Sequence, residues 1–187
     1  MAPGVKPLRT SYTLSPVPDL MIAPRRTAHL DRVAEALRLV HENDGYPMVW
    51  PDDPAAWLAP AGALDGWVAL ADGEIVGHVM LVDGGKVEFA AELAEAAGVP
   101  MTNLAGVSRL FVTPAARGAR VATALLERVE DTPARRGRRL VLDVVDDGGP
   151  AVRLYERLGW TRVVAGPASW TRPDGVRPRA AAYLCPR

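Results

Sequence analysis

Four stretches of the chain place apolar residues every three or four positions, which is the spacing of an amphipathic helix. The first has Thr27 as its N-cap and stops before the cluster Asn43-Asp44-Gly45. The last opens with Pro150 and has Gly159 just past its end, as helices often do. The pattern predicts helices over residues 27–41, 89–97, 117–130 and 150–158.

Shorter apolar runs between these helices predict strands. Two of them flank Asp72-Gly73, and this dipeptide between apolar runs is a strong signal for a β-hairpin. Strands and helices alternate in the second half, so the pattern predicts an α/β or α+β domain. The predicted strands cover residues 67–71, 74–82, 107–112, 140–145, 160–164 and 180–184, and residues 45–60 are predicted to form a loop.

The first 20 residues are rich in proline and follow neither period, so we expect an irregular arm over 1–20 and a single domain over 21–187. The chain is 49% hydrophobic and 24% charged, which argues against disorder and coiled coil. Its single cysteine, Cys185, excludes an internal disulfide framework and a thiolate metal cage. No apolar run approaches the roughly 20 residues of a membrane span. We expect a cytoplasmic protein with no metal and no membrane partner.

The charge is unevenly distributed although the net charge is 0. Residues 39–108 contain eleven acidic side chains and one basic side chain, Lys86, whereas residues 109–139 contain eight arginines. The neutral total argues against nucleic acid as a partner. The asymmetry suggests an anion on the basic stretch and an amine near the acidic one.

The basic stretch contains a junction of small residues between a predicted strand and a predicted helix. Helix N-termini direct unpaired N–H groups and a partial positive charge outward. Gly118, Ala119 and Ala122 would let an anion approach the backbone, and Arg117 and Arg120 add full charges. These are features of a phosphate site, although neither the P-loop pattern nor the dinucleotide-binding pattern is present. An arginine-rich surface at a helix start is the alternative interpretation.

This junction resembles the acyl-CoA signature of the GNAT superfamily, the Gcn5-related N-acetyltransferases, Gln/Arg-x-x-Gly-x-Gly/Ala. Arg117 fits its first position and Ala122 its last, while Arg120 replaces the middle glycine. Inside a helix Arg120 would need no positive φ, so we expect the fold to tolerate it. A second run, AVRLYERLGW from residue 151, resembles the family's A-x-x-x-Y-E-x-x-G-[F/W], and Gly148 stands where the family often has Asn.

The resemblance covers roughly residues 20–165 and implies a mixed, mostly antiparallel central sheet flanked by helices. Two central parallel strands, 107–112 and 140–145, would splay apart. Acetyl-CoA would be the co-substrate, with no metal, its pantetheine pairing with the first strand and its pyrophosphate held by backbone N–H groups. The implied cofactor-binding residues are Leu110, Phe111, Val112, Arg117, Gly118, Ala119, Arg120, Val121 and Ala122.

The resemblance implies transfer of an acetyl group from acetyl-CoA to an amine. Tyr155 matches the family tyrosine that serves as general acid to the leaving thiolate, and simple core packing is its alternative role. Candidates for the general base are Glu88, Asp143 and Ser108 acting through a water, while His78 is interpreted as a packing residue. His41 and Glu42 end the first helix, which the resemblance places near the acceptor site, and loss of the proton from a primary amine to water without a dedicated base is a further alternative.

The acidic middle favours a small-molecule amine as the acceptor. Aromatic rings in the predicted loop, together with Asp52 and Asp53, could hold a cationic amine, or the rings could simply pin the loop. Two alternatives to this function stay open, a non-catalytic acyl-CoA-binding module and a protein or peptide N-acetyltransferase. Many members of the superfamily dimerise, so a homodimer is among the expected states.

Overall fold

A seven-stranded sheet forms the centre of the computed structural model, which describes residues 19–132 and 137–186. The strands lie in the order β1-β2-β3-β4-β5-β7-β6. Each neighbouring pair is antiparallel except β4 and β5, which are parallel. The strands are β1 (Met21–Pro24), β2 (Asp65–Ala71), β3 (Glu74–Asp83), β4 (Leu104–Val112), β5 (Arg139–Val145), β6 (Thr161–Pro167) and β7 (Arg179–Leu184).

Five helices pack on the two faces of this sheet. They are α1 (Leu30–Asp44), α2 (Pro54–Leu58), α3 (Ala90–Ala97), α4 (Val121–Glu130) and α5 (Pro150–Arg157). Strand β2 shows how the faces divide, because Val68 packs with α1 while Trp67 and Ala69 pack with α4. Helix α3 lies against β6 and β7. No helix of the described residues has the length and apolarity needed to cross a membrane.

The period of the first helix and the hairpin follow the predictions, but α1 begins at Leu30 after a 3-10 turn over Thr27–His29 and includes Asn43 and Asp44, so the prediction of Thr27 as its N-cap was wrong. The buried stripe of α1 is Val33, Ala36, Leu37 and Val40, and Gly45 ends the helix with φ +69°. The turn between β2 and β3 has φ +51° at Asp72 and +79° at Gly73, which matches the positive φ values of the expected Asp-Gly hairpin turn.

The elements that the sequence pattern did not predict are short or carry small residues. Strand β1 has four residues and α2 has five, which is too few to display a period. Strand β4 begins at Leu104 rather than at residue 107. Gly106 weakens the strand pattern in the sequence, and in the structure side chains pack directly over it. A Cβ there would lie 2.7 Å from Cγ1 of Val87, so a small residue at this strand position is required. Of the predicted arm, residues 1–18 lie outside the described part of the chain.

The parallel strands β4 and β5 separate soon after they begin. They pair only where Leu104, Ala105 and Gly106 face residues 139–141, and no pairing continues beyond that point. Beyond it, β4 also carries a bulge in which Arg109, with φ +51°, and Leu110 oppose one residue of β3. The mixed, mostly antiparallel sheet with one diverging parallel pair confirms the predicted fold.

Candidate functional site

The loop that leaves β4 adopts an irregular backbone before α4 begins. A short 3-10 turn covers Pro114–Ala116, and Gly118 and Arg120 then take φ values of +80° and +61°. Helix α4 therefore starts at Val121, and the prediction of a helix from residue 117 was wrong. The expectation that Arg120 needs no positive φ was also wrong, and the left-handed conformation costs a non-glycine residue about 1–2 kcal/mol.

This loop presents a run of backbone N–H groups without acceptors. From Gly118 to Ala122, no N–H donates to a backbone carbonyl of residues 19–132 or 137–186 at ordinary hydrogen-bond geometry. Backbone in which the sign of φ alternates can turn successive N–H groups toward one concavity, an arrangement called a nest that suits an anion. The N-terminus of α4 adds its partial positive charge, so the loop has the donors and the potential of a phosphate site.

The two arginines of this loop are in different surroundings. Arg117 pairs with Asp44, the last residue of α1, through Nη1 and Oδ1 at 3.1 Å and through a second contact from Nη2. The hydrogen bond from Arg117 lowers the pKa of Asp44. Because both side chains are more than a third exposed, the pair contributes at most about 1 kcal/mol. Arg120 forms no ion pair within the described residues, so its charge stays available beside the nest.

The end of β4 offers a free strand edge. Phe111 and Val112 pair with β3 on one side, whereas the side toward β5 has no strand partner after Gly106. Phe111 is buried and stacks on His78 with ring centroids 5.5 Å apart, while Leu110 and Val112 pack against the opposite core. Residues 110–112 thus have no strand partner at the opening between the two strands, where the carbonyl oxygen of Val112 accepts from Nη2 of Arg117 at 3.5 Å.

His78 supports the bulge of β4. The guanidinium of Arg25 lies 3.1 Å from Nε2, so this nitrogen accepts and Nδ1 donates to the carbonyl oxygen of Arg109 at 3.0 Å. Burial lowers the pKa of His78 to about 3, so the ring is neutral at pH 7. With both nitrogens engaged, the contacts of His78 are those of a structural residue.

Tyr155 lies on α5, next to the opening between β4 and β5. Its ring centroid is 5.7 Å from that of Trp160 and 6.2 Å from that of Tyr183, and only 7% of the residue is exposed. Burial raises its pKa, and the neighbouring Tyr46 and Asp143 raise it further. The raised pKa keeps the phenol protonated at neutral pH. Because the hydroxyl has no hydrogen-bond partner within the described residues, its donor is not engaged.

Two of the predicted base candidates, Asp143 and Glu88, lie close together. Asp143 on β5 accepts a hydrogen bond from the backbone N–H of Glu88, and burial raises the pKa of Asp143. Glu88 itself accepts from the N–H of Ser169 at 3.2 Å and from its hydroxyl. Glu88 therefore fastens the loop before β7, while Asp143 keeps a carboxyl with raised pKa next to Tyr155. The third candidate, Ser108, lines a pocket on the β4 side.

The loop between α1 and α2 contacts α1 rather than forming a site for a cation. The Trp50 ring lies 5.3 Å from His41 and 4.7 Å from the guanidinium of Arg38. Asp53 caps α2 by accepting from the N–H of Ala56 at 2.9 Å. These contacts favour the interpretation in which aromatic rings pin the loop.

Arg109 is the residue of this region that the sequence reasoning overlooked. Its guanidinium lies 4.4 Å from the ring centroid of Trp57. The ring of Trp57 also packs edge to face with that of Tyr46, with the two centroids 6.2 Å apart. Burial raises the pKa of Tyr46 and the Arg109 guanidinium opposes that rise, while 37% of the residue is exposed. The signal was a single arginine within an apolar strand sequence, VSRLFV.

Comparisons with known proteins agree with this architecture. The family model described as Acetyltransferase (GNAT) family matches residues 30–160. No curated protein sequence matches the chain. Many solved structures do, at identities that support the fold alone.

Three of these structures illustrate the similarity. The ribosomal-protein-S18-alanine N-acetyltransferase of Escherichia coli is 19% identical, with 89% of this chain and 93% of that chain covered and a TM-score of 0.63. Arabidopsis thaliana NAA60 in complex with acetyl-CoA is 19% identical, with 88% and 97% covered and a TM-score of 0.66. The protein yncA of Salmonella typhimurium with its cofactor acetyl-CoA is 20% identical, with 88% and 92% covered and a TM-score of 0.62.

Proposed function

Because the chain belongs to the GNAT family of acetyltransferases, we propose that it moves an acetyl group from acetyl-CoA to the amine of a small molecule. The observation that carries this proposal is the run of unpaired N–H groups from Gly118 to Ala122 beside the diverging strands β4 and β5. Acetyl-CoA needs these two features next to each other, because its diphosphate requires N–H donors and its extended pantetheine arm requires a gap between strands.

The N–H groups of residues 118–122 and the unpartnered edge of β4 support acetyl-CoA as the co-substrate. The N–H groups of the nest would hold the pyrophosphate, with Arg120 adding its charge. The free edge at residues 110–112 would hydrogen-bond the pantetheine as an added strand. Bound there, acetyl-CoA supplies an activated acetyl thioester at the opening between the strands.

Asp143 and Tyr155 have the protonation properties that the transfer requires. We infer that Asp143 accepts a proton from the bound ammonium, since its raised pKa makes it a stronger base than an ordinary carboxylate. As the C–N bond forms and the C–S bond breaks, Tyr155 donates its proton to the leaving thiolate. The attacking nitrogen releases its second proton to solvent, and solvent returns a proton to the phenolate of Tyr155. The raised pKa of Tyr155 keeps it protonated until sulfur gains charge.

The walls of the cleft favour a small acceptor. We infer that Trp57 and Tyr46, whose ring centroids lie 6.2 Å apart, border the acceptor on one side. The hydrogen bonds from Ser169 hold the loop before β7 against Glu88, which precedes α3, and we place this loop on the other side. The E. coli protein named above is an N-acetyltransferase of a ribosomal-protein alanine, which keeps a protein acceptor as the second candidate.

A screen of acceptors tests this proposal. The purified protein is incubated with acetyl-CoA and panels of small amines and of peptides with free N-termini, and thiol release is followed with mass spectrometry of the products. We expect N-acetylated small amines, lost in Tyr155→Phe and retained in Tyr183→Phe as a matched control. Turnover of peptides alone would establish the second candidate, and acetyl-CoA binding without turnover of any amine would contradict an enzymatic function.

A further inference from the structure

A pocket of about 260 Å³ opens beside the bulge of β4. Its polar lining consists of Lys86, Ser108 and Arg109, and its remaining lining residues are Val82 and residues 60–63. Two cationic side chains therefore share one small cavity, and none of its lining residues is acidic. This distribution is unexpected in a region of the sequence where acidic residues greatly outnumber basic ones.

The charge of Arg109 is only partly compensated by the protein. It forms no ion pair within residues 19–132 and 137–186. Its Nη1 contacts the sulfur of Met80 at 3.0 Å, its Nε is enclosed without a partner, and one guanidinium face covers Trp57. Burial and the nearby Arg25 lower its pKa. Charges that are removed from water are usually paired. The surroundings of Arg109 therefore suit the binding of an anion.

Lys86 places a second cation at the same pocket. Its Nζ lies 4.0 Å from the position that a Cβ on Gly62 would occupy, so the side chain lies across the loop of residues 60–63. It makes no ion pair among the residues that the structure describes. Ser108 adds a hydroxyl donor from β4 to the same lining. One guanidinium, one ammonium and one hydroxyl form a donor set suited to a carboxylate or phosphate.

The opposite charge lies on the other strand of the opening. Asp143 lies on β5 and accepts from the N–H of Glu88, which precedes α3, whereas Arg109 and Ser108 lie on β4. We propose that the acceptor is an amine that also carries an anionic group, with the amine at Asp143 and the anion bound by Lys86, Ser108 and Arg109. This inference rests on the proposed function for the amine, whereas the anion site rests on the pocket itself.

Matched acceptors test the inference in the intact enzyme. We compare kcat/KM for 5-aminopentanoate with pentylamine, and for 3-aminopropylphosphonate with propylamine, so that the two pairs separate a carboxylate from a phosphate-like anion. At least one anionic member should exceed its alkylamine by tenfold or more, mainly through a lower KM. Lys86→Met should reduce this preference at least threefold, whereas Arg157→Met, which removes an exposed arginine from α5, should leave it intact. Equal kcat/KM within both pairs would overturn the inference.

A binding measurement keeps the test independent of turnover. Glutarate and inorganic phosphate are titrated into the protein without acetyl-CoA, and tryptophan fluorescence reports changes next to Trp57. We expect saturable binding that Lys86→Met and Arg109→Gln each weaken about tenfold and that Arg157→Met does not weaken. This result with no turnover of any amine would contradict the proposed function and support the anion pocket. Absence of saturable binding of both anions would overturn the pocket, whatever the turnover.

Discussion

The Nδ1 atom of His78 lies 3.0 Å from the carbonyl oxygen of Arg109, so an imidazole on β3 holds the bulge of β4. This bulge lies where β4 has already parted from β5. The hydrogen bond between Arg25 and Nε2 fixes the tautomer that makes the contact possible. A buried histidine thereby connects the end of β1 to the backbone that faces the proposed acetyl-CoA site.

The depressed pKa of His78 predicts that acid destabilises the fold. The ring stays neutral in the folded protein down to about pH 3 but binds a proton near pH 6.5 when unfolded. Its contribution to stability is therefore present above pH 6.5 and is lost as pH falls toward 3. We expect His78 to lower the free energy of unfolding by about 2 kcal/mol between pH 7.5 and pH 5, measured by urea denaturation.

The control for this prediction is His78→Gln, whose amide can donate to Arg109 and accept from Arg25 but does not titrate. Its free energy of unfolding should depend less on pH between 7.5 and 5 than that of the wild type. An equal dependence in both proteins would show that other groups cause the acid sensitivity.

The left-handed backbone of Arg120 predicts opposite effects on stability and on binding. Arg120→Gly removes a conformational cost of about 1–2 kcal/mol and adds the entropy cost of glycine, roughly 0.5–1 kcal/mol. We expect a net gain of about 0.5–1 kcal/mol in the free energy of unfolding. The lost charge should weaken acetyl-CoA binding by about fivefold at low salt, which is roughly 1 kcal/mol.

Arg120→Ala separates these two effects, because it removes the charge but keeps a Cβ at φ +61°. It should weaken acetyl-CoA binding like Arg120→Gly and show no comparable gain in stability. If both variants were stabilised equally, strain at this position would not explain the gain.

The unpartnered hydroxyl of Tyr155 predicts a loss confined to the chemical step. Tyr155→Phe keeps the ring packing against Trp160 and Tyr183 but removes the proposed proton donor. With the preferred acceptor, kcat should fall about 100-fold or more, while the calorimetric Kd for acetyl-CoA changes little. Retention of full kcat would leave Tyr155 with a packing role alone.

The raised pKa of Asp143 predicts a conflict between activity and stability. Its charge is unfavourable in the folded state, so Asp143→Asn should be more stable than the wild type at pH 7.5 in urea denaturation. The same variant should lose about 100-fold in kcat/KM and the acidic limb of the pH profile. Glu88→Gln is the control and should keep that limb; its loss there instead would identify Glu88 as the base.

The elements that carry a periodic pattern could be located from the sequence. The roles of residues that depend on contacts distant in the chain could not. The stripe from Val33 to Val40 and the Asp72-Gly73 turn are local signals, so they located α1 and the hairpin. The start of α4 was misplaced because the helical period of residues 117–120 conceals two positive φ values. The role of Arg109 depends on His78, 31 residues away, and on Trp57. No local pattern reports such contacts.

The proposed function depends on the binding of acetyl-CoA to the nest and to the free edge of β4. Calorimetric titration of the folded protein with acetyl-CoA tests it most directly, with S-acetylpantetheine, which lacks the pyrophosphate, as comparison. We predict a micromolar Kd, about −8 kcal/mol, and much weaker binding of S-acetylpantetheine. No detectable heat with acetyl-CoA, from protein shown to be folded, would contradict the proposed function.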